Sequence, residues 1–290
     1  MDKAVVRESK FRHVYGKCWR KEICLTNVKL QSSANQRNSI TSSGKYLAIP
    51  WQTAGGSGAL AVIPHSQPGP KLPDGFSGVT ATGPSPLTDL QFSPFHSDLL
   101  ATSSREAAVQ LWTITDEGGV QATKSGSLDG HGGRINSLSF HPALDNILAT
   151  SSSDRTIRLW DVSGQAEVLN IDDSQITEVA QDLVWNMDGT LLAASYQKQK
   201  VVRVYDVRQN KAVHEISAHD SAKGTFLCFL ENDRLISVGS SKGSKREIAL
   251  WDLQSGEVSE PVAKHVMSGA GANSSASLVP YYDPATGLMY

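Results

Sequence analysis

The 290-residue sequence has little cysteine, little net charge and no long hydrophobic segment. Three cysteines are too few for a disulfide-stabilised extracellular scaffold, and they fit a reducing compartment. No apolar run approaches the roughly 20 residues that span a bilayer, so no transmembrane segment is predicted. The opening MDKAVVRESKFRHVYG contains no apolar stretch of the kind that a secretory signal requires. We therefore expect a cytoplasmic protein.

The charges are balanced overall but unevenly distributed along the chain. Lys plus Arg number 27 and Asp plus Glu number 29, which gives a formal net charge of -2. Residues 1–30 nevertheless contain eight basic and three acidic side chains, so this segment carries +5 and the remainder carries -7. A basic arm of this kind favours an acidic partner, although a solvated surface strand has the same composition. No basic stripe is interleaved with aromatic residues, so nucleic acid is not expected as a partner.

Internal repeats dominate the central part of the sequence. Four segments, LWTI, LWDV, VYDV and LWDL, place an aromatic residue at Trp112, Trp160, Tyr205 and Trp251. Successive aromatics in this series are 48, 45 and 46 residues apart. Each unit contains short apolar runs separated by Pro, Asp, Asn, Gly and Ser, which predicts short antiparallel strands. A period near 45 residues with a terminal Trp-Asp pair is typical of a β-propeller blade.

An earlier, degenerate unit reads KYLAIPW followed by SGALAVIP, and it brings the number of recognisable blades to five. The predicted fold is therefore all-β, a WD40-type β-propeller with five recognisable blades plus the start of a sixth. We divide the chain into an N-terminal basic arm or strand at 1–35, five propeller blades at 36–265, and a linker with the start of a sixth blade at 266–290.

The third blade contains four residue types that fit a structural chain of hydrogen bonds. His131 precedes the first strand, Ser152 ends the second, Asp154 lies in the next turn and Trp160 ends the third. We predict that Asp154 binds His131, that His131 binds Ser152, and that Ser152 accepts the indole N–H of Trp160. Ser, His and Asp also form catalytic triads. The absence of a nucleophile elbow and an oxyanion loop from this repeat favours the structural role.

No other part of the sequence predicts a catalytic, metal or cofactor site. Cys18 and Cys24 are six residues apart without a second pair, which does not fit a zinc site. The glycine-rich AGGSGA lies between two predicted strands, whereas a phosphate-binding loop precedes a helix. In the fifth blade Lys245 takes the place of Asp154, which argues against repeated chemistry. We expect no enzymatic activity and no cofactor.

Several segments together carry a family resemblance that covers essentially the whole chain. SKFRHVYG, AGGSGA and VPYYDPATGLMY, combined with the WD units, resemble the coronin family of WD-repeat regulators of filamentous actin. The resemblance implies a seven-bladed propeller that binds actin filaments and organises the actin cytoskeleton, in many members through the Arp2/3 complex. The alternative is a generic WD40 protein-interaction scaffold in vesicle trafficking or another intracellular assembly.

The resemblance also implies an actin-binding site. In the family, a basic residue shortly after an N-terminal cysteine is important for filament binding, and its position here is Lys29 in CLTNVKL. Lysine keeps the charge but lacks the bidentate geometry of the arginine that is usual there. Further candidates are the basic residues of the arm, Arg7, Lys10, Arg12, Arg20 and Lys21.

The chain stops inside the sixth blade of the family pattern. The pattern continues with a seventh blade, a linker and a C-terminal coiled coil that trimerises the family and contacts Arp2/3. We therefore expect a fragment or a truncated gene model, and we do not expect such a fragment to form oligomers through a coiled coil. An unclosed propeller exposes strand edges, which predicts aggregation.

Overall fold

The computed structural model describes residues 24–31, 39–66, 72, 76–116, 118–220, 224–241, 245–254, 256, 258–267 and 278–289. Within these residues the regular structure consists of 22 β-strands without a helix, which confirms the all-β prediction. The strands form successive four-stranded antiparallel sheets in which sequence neighbours pair with each other. The proposed division of the chain at residues 35 and 265 stays a prediction.

The first two sheets follow a stretch in which residues 32–38 are not described. The first sheet comprises β1 (Thr41–Ser42), β2 (Tyr46–Pro50), β3 (Gly58–Pro64) and β4 (Val79–Gly83). The second comprises β5 (Leu87–Phe92), β6 (Leu99–Ser104), β7 (Val109–Thr115) and β8 (Gln121–Leu128).

Three further sheets repeat the same order. The third comprises β9 (Ile135–Phe140), β10 (Ile147–Ser152), β11 (Ile157–Asp161) and β12 (Ala166–Ile171). The fourth comprises β13 (Asp182–Trp185), β14 (Leu191–Tyr196), β15 (Val201–Asp206) and β16 (Lys211–Ser217). The fifth comprises β17 (Phe226–Phe229), β18 (Arg234–Ser240), β19 (Arg246–Asp252) and β20 (Ala263–Val266). A final pair comprises β21 (Tyr282–Asp283) and β22 (Leu288–Met289).

The aspartate of each Trp-Asp or Tyr-Asp pair closes the turn between the third and fourth strands of its sheet. The Asp161 carboxylate accepts the N–H groups of Ser163 and Gly164 at 2.9 and 3.2 Å. Asp206 and Asp252 accept backbone N–H groups of their own turns in the same way. A short acidic side chain is suited to such a turn because it replaces a missing backbone acceptor.

The hydrophobic core lies between adjacent sheets. Leu111 of the second sheet belongs to one buried cluster with Leu138 and Trp160 of the third. Val204 of the fourth sheet belongs to another cluster with Leu227 of the fifth. Each sheet therefore stacks face to face on the next, and the blades stabilise one another through shared apolar contacts.

Buried aspartates join the first strands of neighbouring sheets. Asp89 Oδ2 accepts the Leu138 N–H at 2.8 Å, and Asp182 Oδ2 accepts the Leu227 N–H at 2.8 Å. Both aspartates are almost completely buried. The first strands of consecutive sheets therefore lie side by side, as they do around the axis of a propeller.

Candidate functional site

Lys29 lies on a short extended segment, residues 24–31, that is hydrogen-bonded to the first sheet. The Gln52 N–H donates to the Lys29 carbonyl oxygen at 2.9 Å. The Gln31 N–H donates to the Pro50 carbonyl oxygen at 3.1 Å. These bonds hold the backbone on both sides of Lys29, so the sheet sets the direction in which its side chain leaves the surface.

The same segment is anchored by a side chain that packs inward. Val28 contacts the buried cluster that contains Ile49, Ile63 and Leu72, on the face of the first sheet opposite to the one that packs on the second sheet. The Asn27 side-chain amide donates to the Leu72 carbonyl oxygen at 3.3 Å. Val28 therefore faces the core and Lys29 faces solvent, as expected for neighbouring residues of an extended strand.

Lys29 is exposed, and it lies between two exposed leucines. Leu25 and Leu30 have 38% and 53% of their surface accessible. Lys29 forms no ion pair with any other residue in the described part of the chain. An unpaired cation beside exposed apolar side chains provides both the charge and the apolar area that protein interfaces use.

The other predicted actin-binding residues belong to the basic arm, residues 1–23, which lies outside the described residues. Their role stays a prediction, and so does that of Lys29. These residues are Arg7, Lys10, Arg12, Arg20 and Lys21.

The structure brings three of the four predicted blade residues into one hydrogen-bonded chain. His131 Nδ1 lies 2.8 Å from Asp154 Oδ2, and His131 Nε2 lies 2.7 Å from Thr150 Oγ1. The Trp160 indole N–H donates to the same Thr150 oxygen at 2.9 Å. An ionised Asp154 carboxylate can only accept, so His131 Nδ1–H donates to it, and the unprotonated His131 Nε2 then accepts the Thr150 hydroxyl proton.

The prediction that Ser152 belongs to this chain is wrong, because Thr150 occupies the place. Trp160 lies opposite Leu148 in the pairing of β10 with β11. Its indole therefore reaches the diagonal neighbour two residues further along β10, which is Thr150. Ser152 lies another two residues away, and its hydroxyl oxygen accepts the Asp154 N–H at 3.2 Å within the turn.

Burial and hydrogen bonding set the charges of this chain. Burial lowers the pKa of His131, and the hydrogen bond and charge of Asp154 offset this only in part. Burial raises the pKa of Asp154, but hydrogen bonds from the Thr156 and Gly132 N–H groups and from His131 outweigh it, so that pKa lies well below its usual value. A neutral imidazole thus faces an ionised carboxylate. Thr150 is fully buried, so its hydroxyl has no access to a substrate.

The fifth sheet builds a related chain from different residues. The Trp251 indole N–H donates to Ser237 Oγ at 2.8 Å, and His219 Nε2 lies 3.0 Å from the same oxygen. The carboxylate comes from Glu247 on β19, whose Oε2 lies 3.3 Å from His219 Nδ1. Lys245, at the position that corresponds to Asp154, is exposed. Alignment of the turns alone missed Glu247, because this acid is supplied by the strand.

The second and fourth sheets retain only parts of the chain. In the second sheet the Trp112 indole N–H donates to Thr102 Oγ1 at 2.8 Å. In the fourth, the Tyr205 hydroxyl lies 3.0 Å from that of Tyr196. The sequence does contain a signal for the hydroxyl partner. In the three sheets whose third strand carries a tryptophan, the hydroxyl residue lies two positions after the leucine that pairs with that tryptophan.

Two further features are absent from the part of the chain that the structure describes. No group of three or more His, Cys, Asp and Glu side chains is arranged to hold a metal ion. No helix there has the length and apolar character needed to cross a membrane.

Comparison with known proteins first defines the class. The model of the WD domain, G-beta repeat, matches residues 122–161, and that of the anaphase-promoting complex subunit 4 WD40 domain matches residues 163–224. A domain of unknown function (DUF1899) matches residues 4–70. The WD40 domain of Toxoplasma gondii coronin superposes with a TM-score of 0.82 at 23% identity, covering 95% of this chain and 68% of that one. The chain is a WD40-type β-propeller, as predicted.

Sequence relatives then define the family. The chain is 35% identical over 295 residues to coronin-like protein crn1 of Schizosaccharomyces pombe, with coverage of 98% of this chain and 46% of the relative. It is 36% identical over 293 residues to coronin-A of Dictyostelium discoideum, with coverage of 99% and 62%. The chain belongs to the coronin family and corresponds to its N-terminal propeller portion. It spans roughly half the length of these relatives.

Proposed function

We propose that this protein binds filamentous actin through the segment that carries Lys29 and thereby organises the actin cytoskeleton in the cytoplasm. The observation that carries the proposal is that Lys29 is exposed, has no ion pair among the described residues and lies on a backbone fixed by the first sheet. Membership of the coronin family supports actin as the partner. The basic arm adds an excess of positive charge next to this segment in the sequence.

The physical basis of the contact is charge complementarity combined with a small apolar surface. Actin is acidic, so a cationic segment increases the rate of association and fixes the orientation of the complex. Leu25 and Leu30 flank the lysine and provide the area that excludes water from the contact. Because Lys29 is a single exposed charge, we expect it to contribute modestly and in a salt-dependent way.

Co-sedimentation with actin filaments tests the proposal. Lys29→Glu should weaken binding about tenfold, because it replaces an attractive charge with a repulsive one at the contact. Binding by the unsubstituted protein should also fall between about 50 and about 200 mM salt. Lys124→Glu is the matched control, since Lys124 is exposed on the outermost strand of the second sheet and undergoes the same charge change.

Two outcomes would contradict the proposal. Equal losses for Lys29→Glu and Lys124→Glu would show that only net charge matters. An absence of pelleting by the unsubstituted protein would favour the alternative of a WD40 scaffold for another assembly. Thermal unfolding of each variant checks that the fold is retained, because Lys29 joins the sheet only through its backbone.

Regulation of the Arp2/3 complex belongs to the same proposal. Its test is the assembly of pyrene-labelled actin with purified Arp2/3 complex and an activator. Addition of the protein should change the rate of branched assembly, and Lys29→Glu should reduce that change. An unchanged rate at concentrations that saturate the filaments would restrict the function to filament binding.

A further inference from the structure

A polar cleft of about 420 Å³ lies between the third and fourth sheets. Its walls come from the β10–β11 turn, the β14–β15 turn and the connection from β12 to β13. It is separate from the segment of Lys29, which lies on the first sheet. None of the candidate site residues predicted from the sequence belongs to the lining of this cleft.

Three cations line the cleft and are available to a ligand. Arg134, Arg155 and Lys198 are exposed at its walls. Within the described ranges, none of the three forms an ion pair with a carboxylate. The cleft therefore concentrates positive charge in a protein whose overall charge is slightly negative.

Two carboxylates close to these cations, one in the cleft lining and one next to Arg155 in the chain, already accept hydrogen bonds. Glu178 is the acidic residue of the cleft lining, and its two oxygens accept the N–H groups of Lys198 and Gln199 at 3.0 and 2.6 Å. Asp154, next to Arg155 in the chain, is held by His131 and by the Thr156 N–H. These bonds hold the Glu178 carboxylate on the backbone of the β14–β15 turn and the Asp154 carboxylate on its own turn and on His131.

A buried acceptor in the cleft lining lacks a donor. Gln181 lines the cleft, and its Oε1 has no hydrogen-bond partner among the described residues. The neighbouring Asn136 amide does not supply one, because it donates to the Ala180 carbonyl oxygen at 2.9 Å. This oxygen is itself buried and the Gln181 amide lies against Gly224, so the cleft offers a ligand its exposed cations and not this acceptor.

We propose that this cleft binds an acidic peptide segment of a partner protein. Carboxylate side chains of the peptide contact Arg134, Arg155 and Lys198. The three cations come from three separate segments of the chain, which favours several carboxylates along one peptide over a single free anion. A concave, polar cleft of this volume accommodates a few side chains of an extended segment. The inference adds a second binding site that does not depend on actin binding.

Fluorescence anisotropy with a fluorescein-labelled hexaglutamate peptide tests the proposal on the 290-residue chain. Arg155→Ala and Lys198→Ala should each weaken binding about fivefold, and the double variant should weaken it more than about twentyfold. Hexalysine should not bind. The matched control is Arg208→Ala, because Arg208 has 75% of its side chain exposed and lies in the β15–β16 turn at the opposite end of the fourth sheet.

Three outcomes would overturn the proposal. One is a double variant that binds hexaglutamate as tightly as the unsubstituted protein. Another is equal weakening by Arg208→Ala, which would show non-specific attraction. The third is complete displacement of the peptide by inorganic phosphate at an equal concentration of negative charge, which would identify a site for free anions. The assay contains no actin, so its result is independent of filament binding.

Discussion

In both the third and the fifth sheet a carboxylate contacts a buried histidine, but the two sheets supply that carboxylate from different positions. In the third sheet the carboxylate is Asp154 of the β10–β11 turn, 2.8 Å from His131 Nδ1. In the fifth it is Glu247 of β19, 3.3 Å from His219 Nδ1, and Lys264 Nζ lies 3.0 Å from the same carboxylate oxygen. A turn and a strand thus deliver a carboxylate to an equivalent imidazole nitrogen.

What stays constant between the sheets is the contact between the indole and the hydroxyl. Trp160 donates to Thr150 at 2.9 Å and Trp251 donates to Ser237 at 2.8 Å. The register of the sheet imposes this contact, and a buried indole N–H requires an acceptor. The acid has no such constraint, because it needs only to reach the outer nitrogen of the histidine. The hydrogen bond from the indole to the hydroxyl is therefore the part of the chain that the second, third and fifth sheets share.

The largest expected effect comes from removing an indole. Trp160→Ala and Trp251→Ala should each destabilise the protein by about 3–5 kcal/mol, as is usual for truncating a buried aromatic side chain. Urea unfolding followed by circular dichroism measures both values. If the two sheets are equivalent, the losses should agree within about 1 kcal/mol. A loss below about 1 kcal/mol for either variant would show that its indole does not support the core.

Removing the hydroxyl should have an intermediate effect that depends on the histidine. Thr150→Val leaves both the Trp160 N–H and His131 Nε2 without a partner, so we expect a loss of about 3 kcal/mol. Thr102→Val in the second sheet leaves only the Trp112 N–H unsatisfied, and about half that loss is expected. The measurement is again the urea midpoint.

The control for this series is Ser152→Ala. It removes the hydrogen bonds that Ser152 Oγ forms with the Asp154 N–H and with the Gly133 carbonyl oxygen, leaves Trp160 and His131 paired, and should cost about 2 kcal/mol. A larger loss for Ser152→Ala than for Thr150→Val would contradict the hydrogen-bond chain described above and would restore the serine to it.

The repeat pattern predicted the fold because each blade carries its own signals. Alternating apolar residues, turn residues and a terminal Trp-Asp pair recur at a period close to one blade. The same local reasoning placed His131, Asp154 and Trp160 correctly near one another. Each of these signals involves residues that are close together in the chain, so the sequence alone is enough to detect it.

The parts that were missed depend on pairing between strands. The sequence alone does not separate Ser152 from Thr150, because both are hydroxyl residues on one face of β10 and only the register opposite Trp160 decides which one the indole reaches. Glu247 was missed because it approaches His219 from a strand rather than from the aligned turn. Contacts across strands and between sheets are set by the assembled structure.

The smallest expected effect is on the pH dependence of stability, to which His131 and His219 both contribute. Burial lowers the pKa of both His131 and His219, so the folded state holds them neutral while the unfolded state protonates them at its ordinary pKa near about 6.5. The unfolded state then binds more protons, and stability falls as the pH drops below that value until the folded histidines also titrate. Each histidine contributes at most about 1.4 kcal/mol per pH unit to this slope.

Substitution of Lys264 tests how much His219 of the fifth sheet contributes to this slope. Its positive charge opposes protonation of His219, whereas the Glu247 hydrogen bond and charge favour it. Lys264→Met should therefore raise the pKa of His219 and reduce the stability lost between pH 7 and pH 5, and His219→Gln should remove this site's share of the slope. Urea midpoints at three pH values measure the effect, with Lys124→Met as the control for net charge. A slope that both Lys264→Met and His219→Gln leave unchanged would mean that the fifth-sheet chain does not couple to pH, and that its glutamate has only a packing role.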